Sequence, residues 1–150
     1  MTHPSPLQTL IGLAQDDVDA AAQRLGRMQR ERTEVEKQLQ ALVEYRNEYH
    51  TRFTESARQG MAAGSVHNFH AFIATLDSAI EQQRRLLDQA TARLEAAKPE
   101  WQRCKQKLGS FEVLQARQDD VAARKEARRE QRDTDEHAAR ILRMRAPHHP

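Results

Sequence analysis

The stretch Leu39-Gln40-Ala41-Leu42-Val43-Glu44-Tyr45-Arg46-Asn47-Glu48-Tyr49-His50-Thr51-Arg52-Phe53 is the densest apolar and aromatic run in the chain. Leu39, Leu42, Tyr49 and Phe53 recur in steps of three and four, interrupted once by Arg46. That is the spacing of a helix packed along another helix. Val43 and Tyr45 lie beside this line, so the apolar sector is wider than one partner helix requires. The run therefore reads as a helix that closes a seam and also presents a face to something else.

Followed toward the N-terminus, the same register takes in Leu7, Ile11, Ala14, Val18, Ala21, Leu25, Met28, Arg32 and Val35. With the first run, twelve of these fourteen positions are apolar or aromatic, the exceptions being Arg32 and Arg46. Ser5-Pro6-Leu7-Gln8 is a helix start: Ser5 as N-cap, Pro6 where a missing N–H costs nothing, Gln8 closing a capping box. The pattern predicts one helix over about 6–58, roughly 80 Å long at 1.5 Å per residue. Gly60-Met61-Ala62-Ala63-Gly64-Ser65 then breaks it. Gly60 is placed to end the helix in a left-handed conformation, and Ser65 or Asn68 to cap the next one.

After a turn over about 59–67, a second helix is predicted over about 68–144. Its seam runs through Phe69, Ile73, Leu76, Ile80, Gln83, Leu87, Ala90, Leu94, Ala97, Trp101, Cys104, Leu108 and Phe111, with Gln83 the one polar member. Two long seams joined by a short link fold back as antiparallel neighbours. The predicted fold is all-α, a long two-stranded antiparallel coiled-coil hairpin forming one elongated unit over 1–150, with a C-terminal helical overhang. A turn centred near residues 63 and 64 sets Tyr49 near Ser78, Met28 near Pro99, Gly26 near Trp101 and Leu7 near Asp120. Residues 121–145 then lack a partner helix, an overhang of up to ~35 Å. A kink is expected at Pro99, which removes a backbone bond and crowds the Glu95 carbonyl. The tail 146–150 is expected to be disordered.

Composition agrees with this reading. Ala, Glu, Lys, Leu and Arg make up 72 of 150 residues, while aromatics are only 5%, too few for a thick core. Charge is uneven: residues 1–97 hold 11 basic and 13 acidic side chains, residues 98–150 hold 13 and 9. The C-terminal third is the basic end. One cysteine, Cys104, excludes a disulfide framework, and the absence of a long apolar run or h-region points to a cytoplasmic protein with no membrane insertion.

Motifs of catalysis are missing: no phosphate loop, dinucleotide turn or nucleophile elbow occurs, so no enzyme and no cofactor are expected. His67 and His70 lack the further ligands of a structural zinc site and read as solvated, so no metal is expected. Cys104 lies on the seam and reads as a small hydrophobe. Between Arg117 and Arg145 nine basic residues alternate with seven acidic ones and no aromatic side chain is interleaved. This points to a protein partner and away from nucleic acid or a membrane surface.

The assembled pattern resembles the FliJ family of flagellar export proteins. The residues that carry the likeness are Gln38-Leu39, Leu42, Tyr45-Arg46-Asn47-Glu48-Tyr49, Phe72-Ile73, Leu76, Ala79-Ile80, Gln82, Trp101, Leu114 with Arg117, and Glu130-Gln131-Arg132 with Asp135-Glu136. Arg132 stands where the family usually has Lys, and Pro99 is a larger departure. The resemblance implies a stalk-like antiparallel coiled coil in the central hole of the hexameric export ATPase FliI, with both chain ends in the ring. The ring-binding residues it implies here are Gln131, Arg132, Asp135 and Glu136.

It further implies contact with the cytoplasmic domain of the export-gate protein FlhA through Gln38, Leu42, Tyr45, Tyr49, Phe72, Leu76 and Ala79, and an escort role for export chaperones. On the residues alone, Leu42, Tyr49 and Leu76 are as fit for core as for contact, whereas Tyr45, Phe72 and Ala79 lie just off the seam. The expected protein is a non-catalytic coupling component of flagellar export, cytoplasmic and peripheral to the inner membrane at the flagellar base. As a hairpin it is expected to be a monomer. The alternatives are the equivalent stalk of a virulence injectisome and a dimeric coiled-coil scaffold.

Overall fold

A computed structural model describes residues 3–145. The expected tail 146–150, with His148 and His149, lies outside the described residues. Two helices fill the description: α1, Pro6–Arg58, of 53 residues, and α2, Ala63–Arg145, of 83. Among the described residues there is no strand.

The start of α1 is a complete capping box. The Gln8 amide donates to the Ser5 hydroxyl oxygen at 3.1 Å and the Ser5 amide donates to the Gln8 side-chain oxygen at 3.0 Å, with Pro6 as first helical residue. Past its last residue, Gly60 adopts φ of 94° and donates to the Ala57 carbonyl at 3.2 Å. A side chain there would force an L-residue into the left-handed region, which is why glycine holds the position.

The second helix starts earlier than the capping residues suggest, at Ala63 rather than about residue 68. The Ala62 carbonyl accepts the amides of both Ser65 (3.0 Å) and Val66 (3.2 Å), so Gly64 and Ser65 are already in the first turn. The link is thereby cut to residues 59–62. Because a shorter link moves every facing pair, the expected register is corrected throughout. Tyr49 lies against Phe69 and Phe72, not Ser78; Arg46 pairs with Asp77, Arg32 with Thr91 and Arg24 with Glu100. These pairs set Gly26 across from the turn before Glu100 rather than Trp101.

Packing falls into two compact units. The first is Asp16–Cys104. Its seam positions are all buried or half-buried, with Phe69, Leu76, Ile80, Ala90, Leu94 and Ala97 the most enclosed. Two helices form a single layer, so among the described residues no large side chain is fully enclosed.

The three polar seam residues each reach across the layer. Arg32 donates from Nε to Thr91 Oγ1 at 3.1 Å, and Arg46 donates to Asp77 Oδ1. Gln83 donates from Nε2 to the Val35 carbonyl at 3.4 Å and to Gln38 Oε1 at 3.0 Å. Such interruptions cost apolar contact but select one alignment, because sliding either helix leaves the polar group without its partner.

The second unit groups Met1–Gln15 with Lys105–Pro150. In it Leu7, Ile11, Leu108, Phe111 and Gln115 are half-buried and Ala14 is buried. Beyond Gln115, Ala139 alone among the described residues is half-buried, the others being exposed, Ile141 at 37%. The unpaired segment therefore begins before the expected residue 121, and spans roughly 45 Å at 1.5 Å per residue. Pairs within α2 support it, including Arg124–Asp120 at 3.1 Å and Gln131–Asp135 at 3.0 Å, each worth about 0.2–0.5 kcal/mol.

Pro99 lies inside α2, which continues through it without interruption. The missing N–H leaves the Glu95 carbonyl without its usual helical donor. Gly26 offers a stability test. A Cβ built on it meets only the Arg30 side chain, at 3.5 Å, an ordinary contact. Gly26→Ala is therefore expected to stabilise the protein by about 0.5–1 kcal/mol through helix propensity. A rise in the thermal midpoint followed by circular dichroism checks it.

Candidate functional site

Helical spacing sorts the surface flanking the seam of Asp16–Cys104 into two sides. On one side Gln38, Tyr45 and Arg52 follow at intervals of seven along α1, facing Ser65, Phe72 and Ala79 at the same interval along α2. The other carries Val43, Arg46 and Asn47 beside Asp77, Glu81 and Arg84, which together line a polar cleft. The first side is aromatic; the second is charged.

An aromatic cluster ties the first side to the seam. Phe53 stacks on Phe69 with ring centroids 3.5 Å apart, and Tyr49 stacks on Phe69 at 5.3 Å. Phe72 meets Tyr49 edge-on at 4.7 Å and Tyr45 edge-on at 6.3 Å. Burial grades outward through the cluster: Phe69 is 5% exposed, Phe72 36% and Tyr45 46%. Offset and edge-on pairs hold rings in place, so Tyr45 and Phe72 present fixed apolar surface to solvent.

The remaining residues of the expected gate face divide in the same way. Leu42, Tyr49 and Ala79 are half-buried, and Leu76 is buried among the core residues. Gln38 is exposed but held: it accepts from Gln83 and donates to Glu34 Oε1 at 3.5 Å. The structure thus brings Gln38, Leu42, Tyr45, Tyr49, Phe72, Leu76 and Ala79 into one stretch of the hairpin, with Tyr45 and Phe72 its most accessible apolar members. His70 lies beside Phe53 and Phe69, at 5.8 and 5.5 Å. Among the described residues no group of three or more potential metal ligands comes together.

The other expected contact set, Gln131, Arg132, Asp135 and Glu136, is exposed on the unpaired part of α2. Gln131 there spans one turn to Asp135. Closer to the paired part, Leu114, Val121 and Ala122 form an apolar stripe edged by Arg117 and Lys125.

A feature missed by the sequence reading is a pocket near the link, lined by Tyr49, Arg52, Phe53, Ser56, Met61, Ser65, Asn68 and Phe69. The available signal was the seven-residue continuation of Gln38 and Tyr45 to Arg52, which the apolar count passed over because Arg52 is charged.

Helices that pair along a narrow seam, while keeping an aromatic face and a charged helix end exposed, define a coiled-coil hairpin protein. The family described as "Flagellar FliJ protein" matches residues 3–146. Two relatives carry that description. The one from Salmonella typhi is 39% identical over 147 residues, covering 98% of this chain and 99% of its own length. The one from Escherichia coli (strain K12) is 37% identical over the same shares. This chain belongs to the FliJ family.

Proposed function

We propose that this chain is a non-catalytic coupling component of flagellar protein export, joining the export ATPase to the export gate. The observation that carries the gate contact is the exposed, mutually braced pair Tyr45 of α1 and Phe72 of α2, on two helices whose shared seam is already complete. Apolar surface that the chain does not need for its own packing is surface available to a partner. Gln38, Leu42, Tyr49 and Ala79 extend that face, and Leu76 supports it from below. The unpaired part of α2 is the segment offered to the central hole of the hexameric ATPase FliI, with Gln131, Arg132, Asp135 and Glu136 as contacts. The flagellar names of both relatives favour this system over a virulence injectisome.

In this reading the protein acts as a monomer, escorts export chaperones and works at the cytoplasmic side of the inner membrane beneath the flagellum. No helix among the described residues is long and apolar enough to cross a membrane. Capture by the purified ATPase hexamer and by the cytoplasmic domain of the gate protein FlhA tests the proposal, and binding to neither removes it.

Tyr45→Ala and Phe72→Ala are each expected to weaken gate binding about tenfold, the loss typical of a half-exposed aromatic contact. Helix content should stay intact and the thermal midpoint should fall less than in Leu39→Ala. An equal fall would make both rings core and end the interface assignment.

A further inference from the structure

We propose that the pocket near the link receives an apolar side chain that a partner protein carries beside a carboxylate. The cavity holds about 320 Å³, at the lower end of the range of small ligand sites. Phe53, Phe69 and Met61 supply its apolar walls. The rings of Phe53 and Phe69 lie 5° from parallel with centroids 3.5 Å apart, so these two walls pack directly on each other.

The polar rim is one-sided in charge. Arg52, Ser65 and Asn68 contribute donors, and none of the lining residues is a carboxylate. The nearest acid to Arg52 is Glu48, four residues back on the same helix at 3.9 Å, with both side chains more than two-thirds exposed. A pair that long and that exposed leaves the guanidinium free to turn to a better acceptor. A carboxylate is that acceptor, because it takes two parallel donors from the guanidinium fork. A cationic segment would meet Arg52 with no counter-charge in the lining, and a purely apolar one would cover the guanidinium without pairing it.

Tyr49 lines the pocket and also closes the Tyr45 and Phe72 cluster, so the pocket continues the aromatic face. The inference rests on the reading of that face as a docking surface and adds the chemistry of one anchor to it: an aromatic or aliphatic residue next to Asp or Glu.

The test uses the full-length chain and amide nuclear magnetic resonance, with acetyl-Asp-Phe-Asp-amide and acetyl-Lys-Phe-Lys-amide as probes. The acidic probe is expected to shift amides around Arg52, Ser65, Asn68 and Phe69, and to bind about fivefold more tightly than the basic one, the preference of one partly exposed ion pair. Arg52→Gln should erase that preference. Equal affinity for both probes, or shifts away from these residues, overturns the proposal.

Gate capture separates the two readings. If Tyr45→Ala weakens capture and Arg52→Glu does not, the pocket assignment fails while the face stands. If Tyr45→Ala leaves capture unchanged, the aromatic-face reading fails and the pocket assignment, which rests on it, fails with it.

Discussion

Phe69→Ala is expected to lower the unfolding free energy by about 3 kcal/mol, the usual scale for removing a buried ring. Phe69 is the aromatic on which the cluster converges, stacked against Phe53 and Tyr49 and flanked by the imidazoles of His50 and His70 at 6.0 and 5.5 Å. Its loss leaves both stacked partners with one face bare. A two-helix layer has no third element that could move in to refill the gap, so the cavity is opened to water. Phe72→Ala removes a ring of the same size from the same turn region, but one already 36% exposed, and should cost less than half as much. Urea titration followed by circular dichroism measures both, with the midpoint moving and the slope unchanged. Equal losses from the two variants would contradict the division between seam and face on which the gate assignment depends.

Ending the chain after Gln115 is expected to abolish capture by the ATPase hexamer, a loss of at least about a hundredfold in affinity if the removed segment holds the central contacts. The removed segment contributes almost nothing to the seam, since only Ala139 within it is half-buried among the described residues. The thermal transition of the remaining chain should therefore stay within a few degrees of the full-length protein. Arg132→Ala in the whole chain should produce a smaller loss that shrinks further as salt is added, because an exposed guanidinium acts through screened charge. Undiminished capture by the shortened chain would remove the unpaired segment from the ATPase interface.

How far such contacts were readable in advance depends on the kind of information each residue carries. The capping box at Ser5 and Gln8, the left-handed Gly60 and every seam position from Leu7 to Phe111 were legible. Each follows from local geometry or from a repeat that needs no knowledge of the partner helix. The polar interruptions at Arg32, Arg46 and Gln83 were visible as interruptions, but not their purpose. Thr91, Asp77 and the Val35 carbonyl become their partners once the two helices are aligned. Tyr45 and Phe72 lie off the seam and are exposed, whereas Ala79, equally off the seam by spacing, is half-buried like Leu42 and Tyr49, and Arg52 was hidden because a charged side chain adds nothing to an apolar pattern.

Two long helices closed along a narrow seam, apolar surface left over beside Tyr45 and a helical end without enough apolar content to pair are all present in the residue pattern. Periodicity and composition carry that much, since burial along a helix depends on which residues share a stripe. The alignment of the helices was decided by tertiary structure. Two hydrogen bonds to the Ala62 carbonyl begin α2 at Ala63, the link shrinks to four residues, and Tyr49 comes to lie on Phe69 and Phe72 instead of near Ser78. A seam of interchangeable apolar residues accepts several alignments at similar energy. The short link and the three polar crossings distinguish among them, and only with that alignment do the aromatic face and its neighbouring pocket exist.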